Sequence, residues 1–258
     1  MLHFAGSTFD ITSIVLIAAA AAIGGFLRGF VGFGGALALV PVLSLAVGPR
    51  VAVAVASMVG LPAVIQLMPE ALRYADRRRV GPIAIAMLFA APLGSLILTN
   101  VDQRIMTGTI GIVVMLLALL TWKAPKGPFM RKPSVSIAAG IASGLLQGAG
   151  GIGGPPAVAV LMAQGGEPRQ LRANVIAATA TMSLFGAASH ASFGLFTVKA
   201  ATIALVLLPI FIGCTWIGTR FFMLGGSRYF RAAALAILIG IGFAAVAASF
   251  APLIFGGR

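Results

Sequence analysis

The stretch Gly25-Phe-Leu-Arg28-Gly29-Phe-Val-Gly32-Phe-Gly34-Gly35 interrupts a long apolar segment near the start of the chain. A second copy, Gly144-Leu-Leu-Gln147-Gly148-Ala-Gly-Gly151-Ile-Gly153-Gly154, follows 119 residues later. Aligned without a gap, residues 25–54 and 144–173 are identical at ten of thirty positions, and five of these are glycines. A duplicated chain whose halves break an apolar helix at the same point is typical of a secondary transporter.

The composition is that of a polytopic membrane protein. Of the 258 residues, 60% are hydrophobic and 9% are charged, with a mean hydropathy of +1.08. Soluble domains carry about 25% charged residues. The net charge of +13 does not indicate nucleic-acid binding, because the basic residues lie in short loops between apolar segments, where they set membrane orientation.

Ten apolar segments are predicted, five in each half of the chain. They cover about 12–31, 35–48, 50–68, 80–99, 104–122, 134–150, 154–166, 171–190, 198–219 and 231–250. Six are near the ~20 residues that a membrane-spanning helix needs. The segments 35–48 and 154–166 are too short and directly follow the glycine strings. They are either short helices or re-entrant pieces.

The distribution of basic residues favours ten crossings. With ten crossings, thirteen of the 18 basic residues fall on one side and four on the other, while Arg28 stays inside the membrane. With eight spans and two re-entrant pieces, the split is 10 against 7. The positive-inside rule therefore predicts that both termini lie outside and that two inverted five-segment repeats, 1–122 and 134–258, flank a cytoplasmic linker, 123–133. The expected fold class is an all-α membrane protein with two homologous halves.

Each glycine string is predicted to end one helix and start another. A break at membrane depth must be buried in protein or face a cavity, and the N-terminus of the new helix attracts anions. We therefore expect the break glycines to bind substrate; these are Gly32, Gly34, Gly35, Gly151, Gly153 and Gly154. Close helix packing of the small-xxx-small type is the alternative reading of these glycines.

Arg28 is the strongest candidate for recognition of a charge. It precedes the first break by one turn, and its counterpart in the second half is Gln147. A charge at membrane depth is costly and is usually functional, although a long side chain can also reach the interface. Ser57 and Asn174 follow two matching Pro-Arg turns, Pro49-Arg50 and Pro168-Arg169, so both are expected to line the same cavity. Interhelical hydrogen bonding is the alternative for each.

The remaining chemistry argues against an enzyme. The five acidic residues all lie at predicted segment ends or in loops, so no buried carboxylate is expected. His190 is interpreted as an interfacial histidine rather than a proton carrier, and Cys214 as an apolar filler. Without clustered His, Asp or Glu side chains, the sequence predicts no catalytic residue, no metal site and no cofactor.

The two strings and the paired Pro-Arg turns, Pro49-Arg50 and Pro168-Arg169, resemble the sulfite exporter family TauE/SafE over about residues 12–250. The resemblance implies a carrier of small sulfur-containing anions such as sulfite, sulfoacetate or related organosulfonates. It implies no residue-level substrate contact beyond the two strings.

The expected function is export of sulfite or an organosulfonate across the cytoplasmic (inner) membrane of a bacterium. An anion leaving a cell that is negative inside gains about 2.3 kcal/mol per charge per 100 mV, so a uniporter suffices. An anion channel and a proton-coupled uptake permease are the alternatives. The expected partners are the anion and the lipid bilayer, without nucleic acid, and a homodimer is left open.

Overall fold

The computed structural model describes residues 2–4, 7–9, 11–102, 132–225, 229, 230, 232 and 236. The predicted segments 104–122 and 231–250 lie wholly or almost wholly outside these residues, as does nearly all of the linker 123–133. In the described part, a short antiparallel pair of strands, β1 (Leu2–Phe4) and β2 (Ser7–Phe9), precedes eight helices. The helices are α1 (Ile11–Val31), α2 (Gly35–Val47), α3 (Pro49–Tyr74), α4 (Arg77–Asn100), α5 (Pro133–Gly150), α6 (Gly154–Gln164), α7 (Pro168–Ser192) and α8 (Val198–Met223).

The described helices form an integral membrane protein. Four of them, α1, α3, α4 and α8, are long and apolar enough to cross a membrane. Large apolar side chains such as Ile65, Phe89 and Val198 point outward and are exposed. Helix α7 is about as long as these four but contains more polar residues. Its polar side chains lie inside the protein, where Arg172, Asn174, Thr179, Ser189 and His190 are buried.

Both glycine strings break helices, as the sequence predicts. Between α1 and α2, Gly32 and Gly34 have φ angles of 90° and 97°, which residues with a Cβ rarely adopt. Between α5 and α6, Gly151 is left-handed with a φ of 67°. Prolines occupy the first turn of α6, where a missing N–H costs nothing.

The helices that follow the breaks are short. Helix α2 has 13 residues and α6 has 11, so at 1.5 Å per residue they reach about 20 and 16 Å. Neither length covers a ~30 Å hydrocarbon core. Each short helix also begins beside the helix that precedes it, since Gly35 lies against Gly24 and Gly153 lies against Ser143 and Gln147. The chain therefore turns back along the first helix of each half.

Other glycines of the two strings let helices from opposite halves pack closely. Gly25 and Gly29 of α1 lie against the backbone of α8 at Phe211 and Thr215. In the same way, Gly140, Gly144 and Gly148 of α5 lie in order along Ile83, Met87 and Ala91 of α4. Residue numbers rise together in both pairs, so each pair is parallel. Packing and helix breaking are thus assigned to different glycines of one string.

Helices α3 and α7 pack against each other at the centre. Ser57 of α3 pairs with His190 near the end of α7, and the backbone N–H of Asp76, just after α3, donates to Asn174 near the start of α7. The residue numbers run in opposite directions, so these two equivalent helices are antiparallel. Each helix also touches the break of the other half, since Gly32 lies against Ile176 of α7 and Gly151 lies against Val53 of α3.

Candidate functional site

A small cavity lies where the two helix breaks meet α3 and α7. Its volume of about 50 Å³ is room for roughly three to five water molecules. Polar side chains of four helices line it, those of Arg28, Ser57, Gln147, Thr179 and Ser183. Glycine backbone and apolar residues form the rest of the lining, and they include Gly34, Gly35, Gly60, Gly151, Gly154, Ala36, Leu37, Phe33, Met182 and Phe211. A compact polar molecule of about four heavy atoms fits this space.

Arg28 brings an uncompensated positive charge to the cavity. It is only 8% exposed, so it lies in the protein interior. One guanidinium nitrogen, Nη2, donates to Ser183 Oγ at 3.2 Å, and Nη1 lies 3.5 Å from the Gly32 carbonyl oxygen. Its Nε has no hydrogen-bond partner, and none of the described acidic residues forms an ion pair with it. A buried charge in this state attracts an anion.

The start of α2 adds backbone donors on the same side. No side chain caps this helix, and Gly34, Gly35, Ala36 and Leu37, which form its first turn, all line the cavity. Unpaired N–H groups at a helix N-terminus and the helix dipole both favour a negative ligand. Arg28 and the first turn of α2 therefore form one anion-attracting wall.

Most of the second break is satisfied from within the protein. Gln147 Oε1 accepts the N–H of Gly153 at 3.2 Å, and Ser143 Oγ accepts the N–H of Ala157 at 3.0 Å. Pro155 and Pro156 have no N–H to offer. The two breaks correspond in sequence, but among the described hydrogen bonds the first leaves more N–H groups without a partner, those of Gly35, Ala36 and Leu37 against that of Gly154.

Three hydroxyl groups complete the polar lining. Thr179 Oγ1 donates to the Gly32 carbonyl at 2.7 Å, and Ser183 Oγ donates to the Thr179 carbonyl at 2.9 Å while it accepts from Arg28. Ser57 Oγ lies 2.9 Å from His190 Nδ1. The sequence contained a sign of the α7 contribution, because residues 179 and 183 are four apart and so share one helix face.

The structure brings seven of the ten predicted site residues to this cavity and places three elsewhere. The seven are Arg28, Gly34, Gly35, Ser57, Gln147, Gly151 and Gly154. Gly32 lies just behind the wall, where its carbonyl accepts from Thr179, and Gly153 bonds Gln147. Asn174 accepts the N–H of Asp76 at 2.7 Å, in the turn between α3 and α4. Thr179 and Ser183 also line the cavity, and the sequence analysis did not select them as site residues.

One expectation about a basic residue was wrong. The basic residues counted on the cytoplasmic side, Arg172 among them, were expected in loops, but Arg172 is fully buried in α7 and forms an ion pair with Glu70, whose side chain is 13% exposed near the end of α3. Arg172 also donates to the carbonyls of Phe30, at 2.9 Å, and of Gly29. It therefore caps the end of α1, and its charge is compensated.

The expectation of an interfacial His190 was also wrong. The side chain is fully buried. Its Nε2 lies 2.9 Å from the carbonyl oxygen of Gly148, the counterpart of Gly29 in the second half. Helix α7 thus caps both broken helices, one with Arg172 and the other with His190.

Comparison with known proteins gives one match. Residues 16–245 match the family described as sulfite exporter TauE/SafE, which covers most of the chain. No curated protein and no solved structure matches.

Proposed function

Because the chain belongs to the sulfite exporter TauE/SafE family, we propose that it binds a sulfur oxyanion in the cavity between its two helix breaks and exports it. Membership of this family implies a membrane transporter of sulfite- or sulfonate-type anions and not an enzyme. The observation that carries the assignment to this cavity is Arg28, a buried guanidinium without a carboxylate partner among the described residues.

The cavity fits the chemistry of a small oxyanion. The Arg28 fork offers paired N–H donors, and the first turn of α2 offers backbone donors. A volume of about 50 Å³ accommodates sulfite more readily than sulfoacetate, which has twice as many heavy atoms. We therefore place sulfite first among the candidate substrates.

Two inverted repeats would give this carrier alternating access. Two contact patterns support this arrangement. The first helix of each half packs on the fourth helix of the other half, and the equivalent helices α3 and α7 are antiparallel. Equivalent helices that run in opposite directions are related by an axis across them, which lies in the membrane plane. The charge split then puts both termini outside a bacterial cytoplasmic membrane and the linker 123–133 inside.

Export of the anion would be driven by the membrane potential. An anion leaving a negative interior gains about 2.3 kcal/mol per charge for every 100 mV, which favours net efflux. A continuous pore would use the same donors. Single-channel currents far above carrier turnover would identify a channel instead.

A binding panel tests the proposal most directly. Purified protein would be titrated by calorimetry with sulfite, sulfoacetate, taurine, thiosulfate and sulfate. We expect sulfite to bind most tightly and the zwitterion taurine to bind weakly. Binding of none of the anions, together with no sulfite flux in proteoliposomes, would refute the proposed function.

A further inference from the structure

The buried His190 lies between a helix carbonyl and the cavity. Its Nε2 is 2.9 Å from the Gly148 carbonyl oxygen, and its Nδ1 is 2.9 Å from Ser57 Oγ. Ser57 lines the cavity that Arg28 also lines. One hydroxyl group therefore separates an imidazole from the space assigned above to the anion.

The hydrogen bonds define what happens when this imidazole titrates. A carbonyl oxygen can only accept, so Nε2 carries a hydrogen in both protonation states. In neutral His190, Nδ1 accepts the hydroxyl hydrogen of Ser57. In the imidazolium, Nδ1 donates to Ser57 Oγ, and the Ser57 hydroxyl hydrogen turns to another acceptor. An anion oxygen in the cavity is in position to be that acceptor.

Few charged groups surround the imidazole. Helices α5 and α6, which pack against α7, contain no charged residue. Arg50 on α3 and Asp102 just after α4 are charges at this end of the protein, and each lies seven residues along the chain from a contact, Ser57 of His190 and Ser95 of Ser189. Lys199 is the charge at this end of α8. Arg28 lies across the cavity. No described carboxylate contacts the imidazole, so an anion in the cavity would be its nearest compensating charge.

We propose that His190 is the proton site of this carrier and that Ser57 passes the proton between His190 and the bound oxyanion. Imidazole titrates near neutral pH, unlike the guanidinium of Arg172, which caps the equivalent carbonyl in the first half. The proposal rests on the proposed function and adds proton coupling to it.

The proton transfer balances without a further reactant. The N–H bond at His190 Nδ1 breaks as Ser57 Oγ takes that proton, and the original Ser57 proton forms a new O–H bond with an oxygen of the anion. The imidazolium becomes neutral, and the negative charge of the anion falls by one. An oxyanion with a protonated form near neutral pH, as sulfite has, is the substrate class this step requires.

Binding and protonation should assist each other. Without an anion, the imidazolium and Arg28 place two positive charges around one small cavity. A bound anion compensates both, so it favours uptake of a proton by His190, and by linkage the protonated protein binds the anion more tightly. Affinity should therefore be highest below the pH at which His190 titrates and should fall above it.

The test compares sulfite affinity with and without the imidazole. His190→Gln retains an amide N–H for the Gly148 carbonyl but cannot titrate. Sulfite would be titrated into full-length parent and variant by calorimetry between pH 6 and 8. Because the ionisation of sulfite is common to both proteins, the ratio of parent affinity to variant affinity isolates His190. We expect this ratio to rise as pH falls, with a limiting slope of about tenfold per pH unit for one linked proton.

Ser189→Ala is the matched control. Ser189 is the neighbour of His190 on α7, is also buried, and donates to Ser95 Oγ at 2.7 Å, so its loss removes an interhelical hydrogen bond without removing a titratable group. It should follow the parent at every pH. A pH-independent ratio for His190→Gln would overturn the proposal and leave His190 as a structural cap.

Two further results separate the possible failures. If His190→Gln does not fold, the test is the number of protons that the parent and sulfite take up together on binding. Calorimetry in buffers of different ionisation enthalpy measures that number. The number of protons taken up must exceed the number that the ionisation of sulfite itself explains. If the two numbers are equal, His190 is not the proton site. If the parent binds no sulfite at any pH, the proposed function fails instead.

Discussion

At the scale of single residues, the two buried arginines differ in how their charge is compensated. Arg172 has the Glu70 carboxylate and two helix carbonyls, whereas Arg28 has hydroxyl and carbonyl contacts only. Arg172 therefore stabilises the fold as it stands, and Arg28 is left with capacity for a ligand. The ion pair of Arg172 with Glu70 is complete without a substrate, whereas the charge of Arg28 at the cavity favours binding of an anion.

Substitution of Arg28 should weaken anion binding in two steps. Arg28→Lys keeps the charge but loses the planar fork, and Arg28→Gln loses the charge as well. We expect Arg28→Gln to lower sulfite affinity by about 10–150-fold, the equivalent of roughly 1.5–3 kcal/mol, with the Lys variant between it and the parent. Calorimetric titration measures both. Arg50→Gln is the control, because Arg50 bonds the carbonyls of Leu98 and Thr99 away from the cavity. Unchanged affinity in folded Arg28→Gln would remove Arg28 from the site.

Gly60 should control the size of the ligand. It lines the cavity, and a Cβ built on it meets no atom within 4 Å, so Gly60→Ala adds a methyl group to open space. With an anion bound, the added methyl group should overfill the cavity and weaken binding by about 1–3 kcal/mol, or roughly 5–150-fold in affinity. This loss of affinity should be larger for sulfoacetate than for sulfite. Gly81→Ala, also in open space but on α4 away from the cavity, should change neither affinity. Equal effects on both anions would argue that the ligand does not approach Gly60.

Sequence reasoning selected Arg28 but missed Arg172, and the reason is local. Arg28 lies inside an apolar segment, where any charge is conspicuous. Arg172 follows the polar run Gly165-Gly-Glu-Pro168-Arg, which the charge count treated as a loop. Helix α7 in fact begins at Pro168, so Arg172 is already in its second turn and faces the end of α1. The partner carbonyls are more than 140 residues away in sequence, and no local pattern indicates them.

At the scale of elements, the glycines have three separate roles. Some permit left-handed backbone at the breaks, some leave N–H groups open to the cavity, and some allow helices to touch. The eight described helices follow the predicted segments closely because Gly and Pro mark most of their ends. The end of α3 and the start of α4 were predicted several residues short, because the helices continue through charged residues, Glu70 and Arg73 in α3 and Arg77 to Arg79 in α4.

Two glycines of α8 should respond differently to the same change. A Cβ at Gly218 would overlap the α1 backbone at Phe26, and it would lie 2.8 Å from the backbone nitrogen of Phe30, whereas a Cβ at Gly213 would meet nothing within 4 Å. Gly218→Ala should therefore separate α1 from α8 and cost about 1–3 kcal/mol. Gly213→Ala should be neutral or slightly stabilising because alanine favours a helix. Thermal unfolding in detergent measures both, and equal melting temperatures would contradict the close contact of α1 with α8.

At the scale of the whole molecule, the halves exchange their packing partners. Helix α1 packs on α8 and α5 packs on α4, while α3 and α7 meet at the centre. The sequence could indicate a duplication from the glycine strings, and it could indicate orientation from the basic residues. It could not indicate which half contributes each hydrogen bond, since that depends on residues such as Ser57 and His190 that have no counterpart of the same type in the other half.

The proposed topology can be tested with reporter fusions. Fusions at residue 126, in the linker, should be active only with a reporter that works in the cytoplasm, while fusions at both termini should be active only with an external reporter. The physical reason is the positive-inside rule applied to the 13 and 4 basic residues on the two sides. Termini on opposite sides of the membrane would require an odd number of crossings and would contradict the ten-segment arrangement.

The capping of both broken helices by α7 means that the two halves are no longer interchangeable. The positions of α3 that correspond to Arg172 and His190 are Val53 and Ala71, neither of which can donate a side-chain hydrogen bond. A dimer built from two copies of the first half would therefore leave the Gly29 carbonyl of each copy without its donor. Two copies of the second half would supply donors twice but would lack both Glu70 and Arg28. The duplicated unit has become a pair of specialised parts, and only the fused chain contains a complete set.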